Sequence, residues 1–485
     1  MAQKTFSRRT VVVASTVGAA AAIAGTGFAV NQALNGSSAD TLLNPQEAVS
    51  KDGLLDLTLT ASQVSSRIGG NPVTLLGYNG SVPGPTLRFK AGDRVRVKLA
   101  NQIGETTNLH THGLHVSPNG NSDNPMVMVM QGDSFQYEYQ ISDNHPAGTF
   151  WYHPHCHGVV TNQTWAGLYG AIVVENASTQ RFETERVLVI SDISIANNGV
   201  PAGANMMSRM MGREGDHILV NGVEQPQASF KQGVTELWRV VNACVSRNLN
   251  LSVVGANAKV VAIDGYSLET PIAADQIFVS PGNRLEIVVE PTAAKVELQY
   301  TTVAHPDSMG MMGMNAKTYS NYPLLTLNQG AGKSGKAAVY ASTSLEDLRG
   351  KPVSAARQFV LNMPSMNNMM AMMGSGLEGK FTINGQAFDM ARVDTRTGLG
   401  HVEEWTIVNQ STMAHPFHLH VWPMQVLEVA GEPVSGVRYQ DVVNIPTKKS
   451  VKVRVHFNDY TGASVYHCHI LDHEDLGMMG IIEVS

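Results

Sequence analysis

Four short histidine-rich strings stand in two pairs at opposite ends of this 485-residue chain. They are His110-Thr-His112-Gly, Trp151-Tyr-His153-Pro-His155-Cys-His157-Gly, His415-Pro-Phe-His418-Leu-His420 and His467-Cys468-His469-Ile-Leu-Asp-His473-Glu-Asp-Leu-Gly-Met478. Side chains alternate faces along a strand, so each His-x-His puts two imidazoles on one side. In the last string Cys468 then faces away from His467 and His469, and one string can feed two metal sites. That suits copper that must receive an electron and pass it on. A cysteine with two histidines and a weak axial methionine selects a blue-copper electron-transfer site. Cys468, His473 and Met478 offer that set, with His415 as the second imidazole from a separate strand. Zinc fits poorly, because structural zinc wants closed, cysteine-rich sets and the chain has three cysteines.

Strands must position these strings. Alternation at period two dominates, as in Arg94-Val-Arg-Val-Lys-Leu99 and Val451-Lys-Val-Arg-Val455, and helical stretches are few and short, which predicts an all-β assembly. An internal repeat divides it. Asn79-Gly80, Asn221-Gly222 and Asn384-Gly385 each open a module that runs through a turn into a β-rich stretch ending in Asn101, Asn242 and Asn409. Three copies roughly 150 residues apart predict three domains of one type, each near a β-sandwich in size. The expected domains span 50–178, 179–344 and 345–485, with 31–50 as a leader that is flexible or ordered on contact. The histidine strings fall in the first and third, so those two must touch, and the second acts as a spacer.

The bulk properties narrow the class. A net charge of −6 and the absence of a basic stripe give no case for nucleic-acid binding. Ser7-Arg8-Arg9-Thr10 precedes a mostly apolar run to about Val30, the build of a twin-arginine export signal over residues 1–39. Export by that machinery predicts a periplasmic, extracellular or envelope location, with a membrane tether only if the segment stays uncleaved. No later stretch is long and apolar enough to span a bilayer. Cys156 and Cys244 could pair in an exported protein; two unpaired thiols are favoured.

The four strings, in order, match the copper-binding motifs of the multicopper oxidases, and residues 50–485 resemble a three-domain bacterial member of that family. The resemblance implies three cupredoxin-like Greek-key domains and four copper ions. It puts type 1 copper on His415, Cys468, His473 and Met478, and type 2 copper on His110 and His418. One type 3 copper falls to His112, His153 and His469, the other to His155, His420 and His467. These use ten of the seventeen histidines and leave no ligand position empty. Asp123 and Glu474 are implied as the carboxylates that relay protons or orient ligands. His157, His115, His145 and His456 read as structural.

The donor side rests on methionine. Fourteen of twenty-three methionines fall in three clusters: Met206, Met207, Met210 and Met211; Met309, Met311, Met312 and Met314; and Met363, Met366, Met369, Met370, Met372 and Met373. Thioether favours Cu(I). The spacing of Met366, Met369, Met370 and Met373 also fits the packed face of a short helix. Gly, Asn and Ser flank them, however, with little Leu, Ile or Val to share a core. The pattern resembles the copper efflux oxidases, where such a segment overlies type 1 copper and a methionine at the position of Met413 binds substrate. Ser411 departs from that family's carboxylate; Asp389 is a candidate replacement. Met478 as axial ligand implies a lower potential than an apolar residue would, favouring easily oxidised donors. The expected activity is one-electron oxidation of Cu(I), phenols or aromatic amines coupled to reduction of O2 to water, in copper tolerance. The alternatives are a broad laccase whose methionines only shield type 1 copper, and a copper-sequestering protein.

Overall fold

The computed structural model describes residues 41–175, 182–303, 317–332, 340, 345–364 and 381–485. Among the described residues strands far outweigh helices and are arranged as six sheets in three pairs. In the first pair, Asn71–Tyr78, Leu54–Ile68, Arg94–Asn101 and Ser134–Gln140 form one sheet. The facing sheet runs Glu47–Val49, Thr86–Lys90, Gly170–Glu175, Gly148–His153, His110–His112. Leu59, Val97 and Tyr137 from the one meet Phe89, Phe150 and Ile172 from the other in a single core. Arg94–Asn101 and Ser450–His456 bury every second residue, as their alternation predicts.

The Asn-Gly repeat has a structural cause. Asn79, Asn221 and Asn384 all adopt left-handed backbone (φ 53°, 52° and 53°), each followed by a glycine at φ 74–80°. In all three copies the asparagine side chain accepts a backbone N–H and donates to a carbonyl of the neighbouring strand: Thr60 and Thr58, Val189 and Val187, Val360 and Gln358. The closing asparagines repeat a second latch. Asn101, Asn242 and Asn409 donate to the carbonyls of Val129, Val279 and Ile445 and accept from the N–H of Ile103, Cys244 and Ser411. In each copy a strand that precedes the Asn-Gly turn pairs in parallel with the strand that ends in the closing asparagine. Asn221→Ala is expected to cost about 3 kcal/mol, from lost buried hydrogen bonds and left-handed backbone on a residue with a Cβ. Calorimetry of the variant checks this as a lowered unfolding temperature.

The sandwiches share surfaces. Gly148–His153 and Glu236–Asn242 are buried at every position, because Trp151, Ala171 and Val173 of the first sandwich pack on Val187, Val189 and Val241 of the second. A smaller cluster joins all three: Leu75 and Trp165, Ile193 and Leu219, and Leu471. Leu471 opens a short helix, Leu471–Asp475; two others are Val160–Trp165 and Met206–Met211. Of the leader, residues 41–50 are ordered on contact: Leu42 donates to the Gln227 carbonyl and Glu47–Val49 adds a strand to the first sandwich. The expected break near 178, the export segment 1–39 and the methionines at 309–314 and 366–373 lie outside the described residues. Among the described residues no helix is long and apolar enough to cross a membrane.

Candidate metal centre

The first and third sandwiches meet through their histidine strands. His110–His112 pairs antiparallel with Gly148–His153, setting His110 opposite His153. In the third sandwich His415–Leu419 pairs with Gly462–Cys468, setting His418 opposite His467 and Phe417 opposite Cys468. The alternation expected at 467–469 is realised: Cys468 belongs to the core of the third sandwich, while the rings of His467 and His469 stand among those of His153, His155 and His418.

Eight imidazoles converge there, each no more than 3% exposed. His155 and His420 each bring Nε2 to 3.2 Å from Nε2 of His467, and His112 Nδ1 lies 3.4 Å from His153 Nε2. His110 stacks on His420 and His112 on His418, both with ring centroids 3.8 Å apart. The His469 ring lies 4.9 Å from that of His112. Among the described residues, His110 Nε2, His418 Nε2, His420 Nδ1 and both His469 nitrogens are buried without a hydrogen-bond partner. Orphaned buried nitrogens cost free energy unless something binds them. Burial holds all eight rings below the ordinary histidine pKa, His155 and His467 at about 4, so they are neutral with lone pairs free.

Several of these rings are tied down by a second contact, which fixes tautomer and ring angle. His110 Nδ1 lies 3.0 Å from Asp123, whose carboxylate also accepts from the Thr111 N–H and hydroxyl. His153 and His418 hold the carbonyls of Pro154 and Asp441 at 2.8 Å. Glu474 is fully buried, 3.1 Å from His467 Nδ1 and 3.4 Å from His155 Nε2. Burial raises both Asp123 and Glu474 to about 7. Both carboxylates expected from the sequence therefore reach the cluster.

The second centre is smaller. Cys468 Sγ lies 3.4 Å from His415 Nδ1 and 3.7 Å from His473 Nδ1, all fully buried. Met478 is buried in the same core, its N–H on the His473 carbonyl and its carbonyl on the Cys468 N–H. The far nitrogens are engaged: His415 Nε2 with the Ser411 hydroxyl at 2.7 Å, and His473 Nε2 with the Met210 carbonyl at 2.9 Å. Phe381 stacks on His473. The inward Nδ1 pair and the thiol therefore face one another, a donor set that fits copper.

Sequence reasoning missed Asp441. Its carboxylate lies 3.0 Å from His112 Nε2 and pairs with Arg284 of the second sandwich, through Nη1 at 2.7 Å and through Nη2. Arg284 is fully buried and bonds the carbonyls of Gly282, Thr149 and Asp264 as well. Gly282 sits against the cluster, where a Cβ would meet the His469 ring at 3.0 Å. One arginine thus ties all three sandwiches to the histidines. Its surroundings, Tyr439-Gln440-Asp441-Val442-Val443-Asn444, carry no ligand spacing that could have singled it out.

Other expected residues lie elsewhere. Asp389 is exposed, in a cleft with His157 and Arg392. His115 joins the Val421 carbonyl and Asp459, His145 accepts from the His115 N–H, and His456 faces Glu346. Cys156 and Cys244 are free.

Three stretches match the multicopper oxidase family: residues 60–179, 187–331 and 358–485. The chain is 29% identical to the multicopper oxidase mco of Staphylococcus haemolyticus, over 92% of each chain. It is 24% identical to a laccase of Bacillus subtilis, covering 85% of this chain and 91% of the other. The solved multicopper oxidase of Campylobacter jejuni, a metallo-oxidase, superposes with a TM-score of 0.78 at 27% identity, over 92% of this chain and 98% of that one. With three matched stretches in order and two buried donor sets that fit copper, the chain belongs to the multicopper oxidases, as a three-domain bacterial member and an oxidoreductase.

Proposed function

We propose that this oxidase couples one-electron oxidation of Cu(I), and of phenols and aromatic amines, to four-electron reduction of O2 to water. The carrying observation is the string 467–469, whose thiol points into one donor set and whose imidazoles point into the other. We assign type 1 copper to His415, Cys468, His473 and Met478, and type 2 copper to His110 and His418. The type 3 pair takes His112, His153 and His469 on one side and His155, His420 and His467 on the other. Bound copper would supply one-electron chemistry at Cys468 and O2 reduction among the eight histidines. Covalent bonds of residues 467–469 link collector to cluster. The stacked rings, the neutral imidazoles and the orphaned nitrogens support these sets.

Glu474 touches His155 and His467, so it is positioned to hand protons to the cluster, with Asp123 doing the same beside His110. Glu474→Gln is expected to slow O2 uptake by about 100-fold while the visible band of the mononuclear centre stays unchanged. Loss of that band would instead make Glu474 a scaffold residue.

The Cu(I) reading draws support from Met413, buried two residues before His415, from Met206–Met211 against His473, and from the segment 363–373. O2 uptake with Cu(I) and with a dimethoxyphenol tests it. Deleting 363–373 is expected to cut Cu(I) turnover by about 10-fold or more and to spare the phenol. Unchanged Cu(I) turnover would leave the broad laccase reading in its place. Copper tolerance is the proposed role, and the Arg8-Arg9 segment supports twin-arginine export to the periplasm, envelope or exterior.

A further inference from the structure

The sequence His-Cys-His occurs twice, at 467–469 and at His155-Cys156-His157. In the second, His155 joins the histidine cluster, but its two successors do not. The strand carrying His153 ends there, so the chain leaves the sheet, and Cys156 and His157 line a cavity that also touches His155. Met126, Met128, Met390 and Met479 line the same cavity.

Packing accounts for part of this. Met126 and Met479 belong to a small apolar cluster with Phe388 and Val465. It does not account for the remainder. Met128 and Met390 are 55% and 53% exposed, so they fill no core. Cys156 is 9% exposed and its thiol is free. His157 rests its ring on Phe388, with centroids 4.7 Å apart, yet its Nδ1 is buried without a hydrogen-bond partner among the described residues. A thiol, an orphaned imidazole nitrogen and two half-exposed thioethers around one space form a soft donor set, the kind that selects Cu(I). A neighbouring, more open cleft shares His157, Phe388 and Met390 with that space.

We propose that Cys156, His157, Met128 and Met390 form a binding site for a soft monovalent cation, and that Cu(I) enters the histidine cluster through it when the protein is loaded. Cu(I) takes the Cys156 sulfur as thiolate, the displaced proton leaves to water, and no electron is transferred. The bound ion then stands one residue from His155. This port is separate from the donor site proposed above, which adjoins His415 and His473.

Ag(I) shares these donor preferences and is inert to oxidation, so it probes the site in the copper-loaded protein. Crystals soaked in Ag(I) are expected to show anomalous density at bonding distance from Cys156 Sγ. Ag(I) is also expected to slow alkylation of Cys156, read by mass spectrometry, by about tenfold or more. Met128→Leu with Met390→Leu, apolar substitutions at exposed positions, should abolish that protection. Loading of the copper-free chain with Cu(I) under anaerobic conditions should slow by about tenfold in Cys156→Ser, with final copper content and O2 uptake unchanged. Absence of silver at Cys156 overturns the site. Silver bound there with an unaltered loading rate overturns the port.

Discussion

Cys468→Ser is expected to lose the visible band of the mononuclear centre and to consume O2 no faster than a protein-free blank, with every donor. The thiolate is the ligand that makes a His2Cys centre an electron-transfer site, and Cys468 is where both Nδ1 atoms point. Serine removes the soft donor at nearly the same volume, and the Ile470 N–H and the two Nδ1 atoms that face the sulfur remain to hydrogen-bond its hydroxyl, so the fold should survive. The eight-histidine cluster draws nothing from the thiol and should retain its copper, measured as three ions per chain where four are expected of the parent. The same variant separates catalysis from sequestration. A copper-binding protein would still protect a copper-stressed cell after the change, and an oxidase would not.

The second large effect is expected at Asp441. Asp441→Ala leaves Arg284 buried with its main counter-charge gone, a situation that costs about 3–5 kcal/mol. It also frees His112 Nε2, and loss of such a ligand-orienting partner lowers metal affinity about 10- to 100-fold. Unfolding temperature and copper content of the purified variant report the two losses. Pairing the change with Arg284→Met discriminates between them. Removing both charges should recover much of the stability, because the unpaired guanidinium is gone, whereas copper affinity should stay low because His112 is still untethered. Recovery of both together would mean that Asp441 acts only as a counter-ion.

The contrast between these two residues shows what was legible in the sequence. Cys468 announced itself because its neighbours are its functional context: ligand spacing in 467–478 is a local property of one strand and the helix after it. Strand alternation was legible for the same reason at Arg94–Asn101, and the three Asn-Gly turns were legible because left-handed backbone selects those residues. Asp441 carries no such local sign. Its partners His112 and Arg284 come from the other two sandwiches, and only the closure of the three brings them together. Gly148–His153 hid its pleat because burial on both faces removes the polar half of the pattern. The Met210 carbonyl that fixes His473 is a backbone group, which any residue could supply. Ser411 stood out in sequence only as a departure; the structure gives it a role as the hydrogen-bond partner of His415 Nε2.

In the proposed reaction, single electrons collected beside Cys468 are delivered together to O2 at the eight histidines. The direct measurement is the ratio of donor oxidised to O2 consumed, taken with a peroxide assay on the same solution. Four donor equivalents per O2 and no peroxide are expected, with Cu(I) and with a dimethoxyphenol alike. Two equivalents per O2 with matching peroxide would contradict it, because the cluster would then not be completing the reduction.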